Sequence, residues 1–403
     1  MSFKLFSISS MYQGYLDSFY RKNPQTKELV YNDHLNLLMN DATEFAASYI
    51  RNFRNLGIET KCVISNDNLL QRKWKSENKL NSDKNSDILF EQINSFKPEI
   101  LWIEDLSQLN SDWFNNVRKK IKTVKLIVAY HCAPYNKVLL DKLKNVDFII
   151  TCTPGLKQSF EQEGLKAYLV YHGFDAELLK RVERRGDSHI KNLVFSGSLI
   201  TGGRFHNSRI NLIESLIREK IDLALYATLE KNFRIRAKQL IFSVTGILKK
   251  LKMESLANKI PFFEHGQSPV QGYSDALKGS NHPSLYGIGM YNLFNTSKIV
   301  LNIHIGVAAD YAGNMRMFEV TGVGSCLLTD NKKNMKDLFE VNKEVVVYDS
   351  PEDCIDKVKW LLQHEHEREE IARSGQRKTL EMHTVENRCK SIIDIINNEL
   401  SLS

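Results

Sequence analysis

The chain lacks most of the short signatures that identify a function at sight. Its six cysteines (Cys62, Cys132, Cys152, Cys326, Cys354 and Cys389) are scattered without a C-x-x-C pair, so neither a zinc ribbon nor a disulfide framework is expected. Several sit in apolar runs, where cysteine acts as a small hydrophobe. No H-E-x-x-H, no D-x-D and no clustered His/Cys set points to a metal, so none is expected. The G-x-S-x-G elbow of hydrolases is missing, as are G-x-G-x-x-G and the P-loop. No stretch approaches the roughly 18 apolar residues of a membrane span. The opening MSFKLFSISSMYQG lacks the layout of a signal peptide. A cytoplasmic location is the expectation. Aromatic residues are dispersed rather than interleaved with a basic stripe, which argues against single-strand nucleic-acid binding.

What is present fits a soluble chain of two near-equal domains: 403 residues, 42% hydrophobic and 26% charged. A net charge of +7 suits phosphorylated ligands or an anionic surface, without arguing for nucleic acid. Strand-like and helical runs alternate from the start. KLFSIS (Lys4–Ser9) reads as a buried strand, followed by a loop with Tyr12, Gly14 and Tyr15. A long amphipathic helix is expected over His34–Leu56, closed by Gly57, then strands at Thr60–Ser65, Ile100–Ile103, Val124–Tyr130, Asp147–Cys152 and Ala167–Tyr171. Glu177–His189 is charged and reads as a connection. The pattern then restarts with strands at Asn192–Phe195, Asp222–Tyr226, Lys298–Ile303 and Glu344–Tyr348. Such alternation argues for parallel sheets covered by helices, with ligands bound beyond the carboxyl ends of the strands.

The most informative stretch is KIVLNIHIGVAADYAGNMRMFEVTGVGSCLLTD, Lys298 to Asp330. It reads as strand, glycine-bearing loop, short helix and strand. Asn314 is placed as the N-cap of a helix carrying Arg316 and Glu319, stopped by Gly322 and Gly324. A helix start aimed outward from strand ends suits an anion; Arg316 adds a fork of donors, and Glu319 can accept from sugar hydroxyls. An ordinary crossover reads the same way. Gly197 and Ser198, then Gly202-Gly203-Arg204, follow the first strand of the second half. Small residues there let backbone N–H groups approach a phosphate, with Arg204 or Arg209 supplying charge. In the first half, His131 ends a strand at the crevice mouth and can take a proton near neutral pH. Glu104 and Asp105 end another strand and can bind acceptor hydroxyls or merely cap a loop; Tyr12 is placed on the same side. His172-Gly173-Phe174-Asp175 reads as structural. Lys231–Lys252 mixes basic and apolar residues. It is either a helix packed on its own sheet or a peripheral membrane contact.

Taken together, these blocks resemble a GT-B glycosyltransferase, and more closely the CgeB-like, spore-maturation-protein-like family. The resemblance is carried by KPEILWIED, VDFIITCTPGLKQSFEQEG, YHGFD, NLVFSGSL, HNSRINLIESL, HPSLYGIGMYNLFNTSKIVLNIH, MRMFEVTGVGSCLLTD and HTVENRC. It implies two Rossmann-like domains facing across a cleft. Residues 1–176 would hold the acceptor and 190–383 the nucleotide-sugar donor, with a final helix over 384–403 crossing back. The implied activity is metal-independent transfer of a sugar, of hexosyltransferase type, to a glycan, lipid-linked or protein acceptor, as in polysaccharide biosynthesis. No cofactor is implied beyond the nucleotide-sugar co-substrate. By the same resemblance Glu319 matches a ribose-binding glutamate, while Tyr311 stands where retaining relatives carry another. His131 and Arg316 would be catalytic; Gly197, Ser198, Arg204, Arg209, Asn314, Arg316 and Glu319 would bind the donor. A non-catalytic structural or assembly protein of a cell or spore surface, and a sugar-nucleotide epimerase or phosphorylase, share the fold.

Overall fold

Short unbroken apolar runs make the centre of the first sheet. Strands β3 (Ile100–Ile103), β4 (Leu126–Tyr130) and β5 (Phe148–Thr151) are buried at every residue, as strands covered on both faces must be. With β1 (Lys4–Ser9), β2 (Glu59–Ile64) and β6 (Ala167–Leu169) they form a parallel sheet of order β2-β1-β3-β4-β5-β6. The second sheet is also parallel and comprises β7 (Lys191–Leu199), β8 (Leu223–Leu229), β9 (Asn281–His282), β10 (Ser297–Asn302), β11 (Cys326–Asp330) and β12 (Val346–Tyr348). Its order is β12-β11-β10-β7-β8-β9. This computed structural model describes residues 3–43, 45–183, 191–202, 207–250, 270–304 and 310–402. The expected α/β architecture is the one observed.

Each order reverses once, between β1 and β3 and between β7 and β10. At such a point successive crossover helices leave to opposite faces, so a crevice opens at the carboxyl ends of the two strands. The carboxyl ends of both sheets meet at a common junction. Tyr286 of the second half packs on Gly14, just after β1, and Tyr311 packs on Gly155, just after β5. Gly313 lies against the backbone oxygen of Cys152; a Cβ built there would come 2.5 Å from that oxygen. Asn334 donates to the Tyr171 hydroxyl at 3.2 Å. The helix Val385–Leu402 returns to the first half, where Cys389, Ile392 and Ile396 are fully buried among Tyr49, Ile50 and Trp102.

Two local expectations change. The stretch His34–Leu56 is not one helix but two, Tyr31–Asp41 and Phe45–Asn55. Ala42 turns extended and buries completely. The carbonyls of Asn40 and Asp41, left without helical partners, accept from Arg181 at 3.0 and 2.8 Å. The basic stretch forms the helix Asn232–Lys250. It packs through Ile235 and through Lys238, whose ammonium is buried 2.6 Å from Glu230, while Phe233, Leu240 and Ile247 face outward. Of the stretch read as a connection, residues 184–190 lie outside the described residues, as do Gly203, Arg204, residues 251–269 and residues 305–309.

Candidate functional site

At the reversal of the second sheet, β7 outruns β10. The last β7 residue paired with β10 is Phe195, opposite Leu301, whereas β7 continues beside β8 to Leu199. Gly197 and Ser198 were expected in a turn; they are strand residues, laddered opposite Ala227 and Thr228. The turn begins at Ile200, and Gly202 supplies its positive φ of 76°. Glu230 pins this loop by accepting from Thr201 N at 3.1 Å and from its hydroxyl at 2.8 Å. Beyond β10 the β7 carbonyls need other donors, and two arginines provide them. Arg316 Nη2 donates to Ser196 O at 3.2 Å, and Arg209 Nη1 donates to Ser198 O at 3.3 Å.

Arg209 also donates through Nε to Ile303 O at 3.0 Å and is buried. Burial pushes its pKa down to about 10, so it keeps its charge at neutral pH. It is a strut bridging β7 and the end of β10, not the free phosphate ligand the sequence suggested. Its fork is already engaged, and its charge acts from behind the crevice floor.

The helix Met315–Gly322 starts where it was expected, with Asn314 in extended backbone just before it. Asn314 makes no side-chain capping bond, which corrects the N-cap reading. Its amide instead donates to Asn302 Oδ1 at 2.7 Å, tying the helix start to the end of β10. The first N–H groups of the helix are therefore not covered by their own cap side chain. Arg316 Nη1 lies 2.7 Å from Glu319 Oε2, and its guanidinium rests 4.6 Å over the Phe294 ring. Glu319 is buried, and its other oxygen accepts from Tyr291 at 3.3 Å. Each carboxylate oxygen has lone-pair capacity for a further donor.

Sequence reading missed His304, two residues past the end of β10. Its backbone N–H and Nδ1 both reach Asp330 Oδ1, at 2.9 and 2.7 Å, and Nε2 is buried without a partner among the described residues. Burial opposes the charge of Asp330, but His304 and Lys332 outweigh it and hold the carboxyl well below its ordinary value. The signal was present: a strand-end histidine two residues beyond Asn302, beside a strand ending in aspartate.

In the first half, His131 follows β4 with Nε2 buried and unpartnered among the described residues. Burial lowers its pKa and favours the neutral ring. Glu104 follows β3 beside the β1 end and accepts from Trp102 Nε1 at 2.9 Å. Burial pushes its carboxyl up to about 7, against the bonds from Trp102 and Ser9. Asp105 caps its own loop: it accepts from Ser65 at 2.5 Å and Ser107 N at 2.9 Å. Tyr12 is exposed before the helix Gln13–Lys22. The reading that no His/Cys set clusters is overturned, because Cys132, Cys152 and His172 bring their donor atoms within 4.8 Å of one another. They come from three neighbouring strand ends, a proximity that linear spacing hides.

A family model described as glycosyl transferase-like matches residues 245–394, the part of the second half that holds β10, the Arg316 helix and β11. Solved structures match across the whole chain. A glycosyltransferase from Rickettsia africae is 11% identical over 100% of both chains with a TM-score of 0.57. HepE from Anabaena in complex with UDP-glucose is 10% identical over 98% of this chain and 100% of its own, with a TM-score of 0.53. An α-glucosyltransferase, in complex with UDP-glucose and DNA containing an abasic site, is 12% identical over 98% and 100%, with a TM-score of 0.58. The fold is GT-B. No curated protein matches the chain by sequence. Within this GT-B fold the second sheet's reversal, with Arg316, Glu319 and His304, is the candidate functional site. Among the described residues no helix is long and apolar enough to cross a membrane.

Proposed function

We propose that the chain is a glycosyltransferase that moves a sugar from a nucleotide-sugar to an acceptor hydroxyl. The observation that carries this reading is the Arg316–Glu319 pair, set at the β7/β10 reversal inside the segment matched by the glycosyl transferase-like model. In it, the N–H groups opening the helix Met315–Gly322 and the Arg316 guanidinium take the diphosphate, stabilising charge as the bond to the sugar breaks. Glu319 accepts from the ribose. Asn314 and the backbone of Gly197 and Ser198 line the same crevice. Glu104, poised near neutral pH, and His131, with a free ring nitrogen, receive the acceptor and its proton. The UDP-glucose bound to HepE and to the α-glucosyltransferase supports a sugar nucleotide as the donor class.

The test is a thermal-shift screen of the chain with UDP, GDP, CMP, dTDP and their sugars. A ligand at a hundred times its dissociation constant stabilises the fold by about 2.7 kcal/mol. A shift with one nucleotide family, lost in Glu319→Ala, is the expected result; a flat response overturns the donor site. Stabilisation with neither transfer nor hydrolysis, across glycan, lipid-linked and protein acceptors, would instead favour a non-catalytic GT-B module.

A further inference from the structure

The parallel register of the first sheet makes a site out of residues far apart in sequence. Tyr130 pairs with Ile150, and Ile150 with Tyr168. Two residues on, Cys132 and Cys152 stand level beyond neighbouring strands, and His172 follows just past the end of β6. Cys152 and His172 are buried and Cys132 half-buried, and one donor atom from each lies within 4.8 Å of the others. Among the described residues this is the one such set of three His, Cys, Asp or Glu side chains. The other four cysteines belong to no such set.

We propose that Cys132 Sγ, Cys152 Sγ and a ring nitrogen of His172 bind a thiophilic divalent cation of the zinc class. Two thiolates and an imidazole are the donors such an ion prefers. Tetrahedral zinc, with bonds of about 2.3 Å to sulfur and about 2.0 Å to nitrogen, holds its donors roughly 3.5 Å apart. With every separation inside 4.8 Å, the set closes by at most about 1.3 Å on binding, within the reach of side-chain rotation. Each thiol gives up its proton to solvent, so the two positive charges of the ion replace two protons and the site stays neutral. A shell to fix the ligands is already built. The Tyr130 hydroxyl lies 2.9 Å from His172 Nδ1, and Arg388 Nε donates to His172 O at 3.0 Å. Phe45 lies tilted with its ring centre 4.2 Å from that of Tyr130 and stands edge-on to His172, covering one side of the site. The fourth position opens beside the half-exposed Cys132. The site lies on the first half's side of the junction, where the Cys152 backbone meets Gly313, and shares no residue with the Arg316–Glu319 pair.

The test uses the full chain, stripped of metal, reduced, and titrated with cobalt(II) and then zinc. One equivalent of cobalt should produce the thiolate charge-transfer and tetrahedral ligand-field bands, and zinc should bleach them. The bands should vanish in Cys152→Ser and His172→Ala and survive in Cys354→Ser. If a variant fails to fold, the unmutated chain still decides: stoichiometric zinc should protect the half-buried Cys132, but not added glutathione, from alkylation followed by mass spectrometry. Absent bands, bands that survive in folded Cys152→Ser, or a Cys132–Cys152 disulfide that forms on air exposure despite stoichiometric zinc would overturn the proposal.

Discussion

Arg316 and Glu319 form a 2.7 Å ion pair across one turn of the helix Met315–Gly322, and the same guanidinium reaches 3.2 Å to Ser196 O, just past the β7 residues paired with β10. An anion arriving at the helix start thus meets a donor already oriented by strand, helix and the Phe294 ring. Preorganisation of this kind removes the entropic cost of immobilising a long side chain at the moment of binding.

Glu319→Gln keeps an acceptor for Arg316 and Tyr291 but removes the charge. It should weaken nucleotide-sugar binding about tenfold, the loss of roughly one charge-assisted hydrogen bond, as read by calorimetric titration. Arg316→Ala should also cost stability, about 3 kcal/mol by urea denaturation, because it strands a buried carboxylate and the Ser196 carbonyl. Equal donor affinity in Glu319→Gln and the unmutated chain would remove Glu319 from the site.

Glu104 makes a pH prediction whose sign is fixed by its environment. Its folded pKa of about 7 lies above the unfolded value of about 4.3, so the folded state binds the extra proton between them. The contribution to stability is full below about pH 4, declines as pH rises, and is gone above about pH 7. Glu104→Gln should flatten that part of the stability curve relative to the unmutated chain. If Glu104 takes the acceptor proton, turnover should climb through pH 7 only when the carboxyl is present.

Gly313 is a point of close contact between the backbones of the two halves. A Cβ there would meet Cys152 O at 2.5 Å and Thr153 Cγ2 at 2.9 Å, and a backbone oxygen cannot swing aside. Gly313→Ala should lower stability by about 1–3 kcal/mol, the usual cost of overpacking, measured as a shift in denaturation midpoint. An unchanged midpoint would mean that the halves slide apart freely.

Asp175 links the helix Phe45–Asn55 to the chain leaving the first sheet. Its carboxylate lies 2.5 Å from Arg51 Nη2 and accepts from Glu177 N at 3.2 Å. Asp175→Ala should cost about 2–4 kcal/mol, leaving Arg51 without its partner, and Asp175→Asn about half of that. Circular dichroism melts of the two variants check the order.

Much of this was legible beforehand because hydrophobic runs report burial directly. LIVAY and FIIT could hardly be anything but central strands, and the Asn314–Glu319 helix is announced by its glycines and its polar start. Other features depend on distances the sequence does not carry. Gly197 and Ser198 look like a turn, yet the length of β8 keeps them in the sheet. Arg209 looks like a ligand, yet two carbonyls stranded by the early end of β10 claim it. The Cys132–Cys152–His172 set and the His304–Asp330 pair appear only once the order of neighbouring strands is known. Tyr311 shows the opposite case: an odd residue in a familiar motif is explained by Gly155 across the junction.

The return of the helix Val385–Leu402 to the first half also dictates a timetable. Cys389, Ile392 and Ile396 complete a core whose other walls, Tyr49, Ile50 and Trp102, leave the ribosome more than two hundred residues earlier. At about 5–20 residues per second that surface waits roughly 15 to 70 s for its lid. The half made first is therefore finished last, and nascent chains arrested after Tyr348 should show protease cutting there that disappears once Leu402 has emerged.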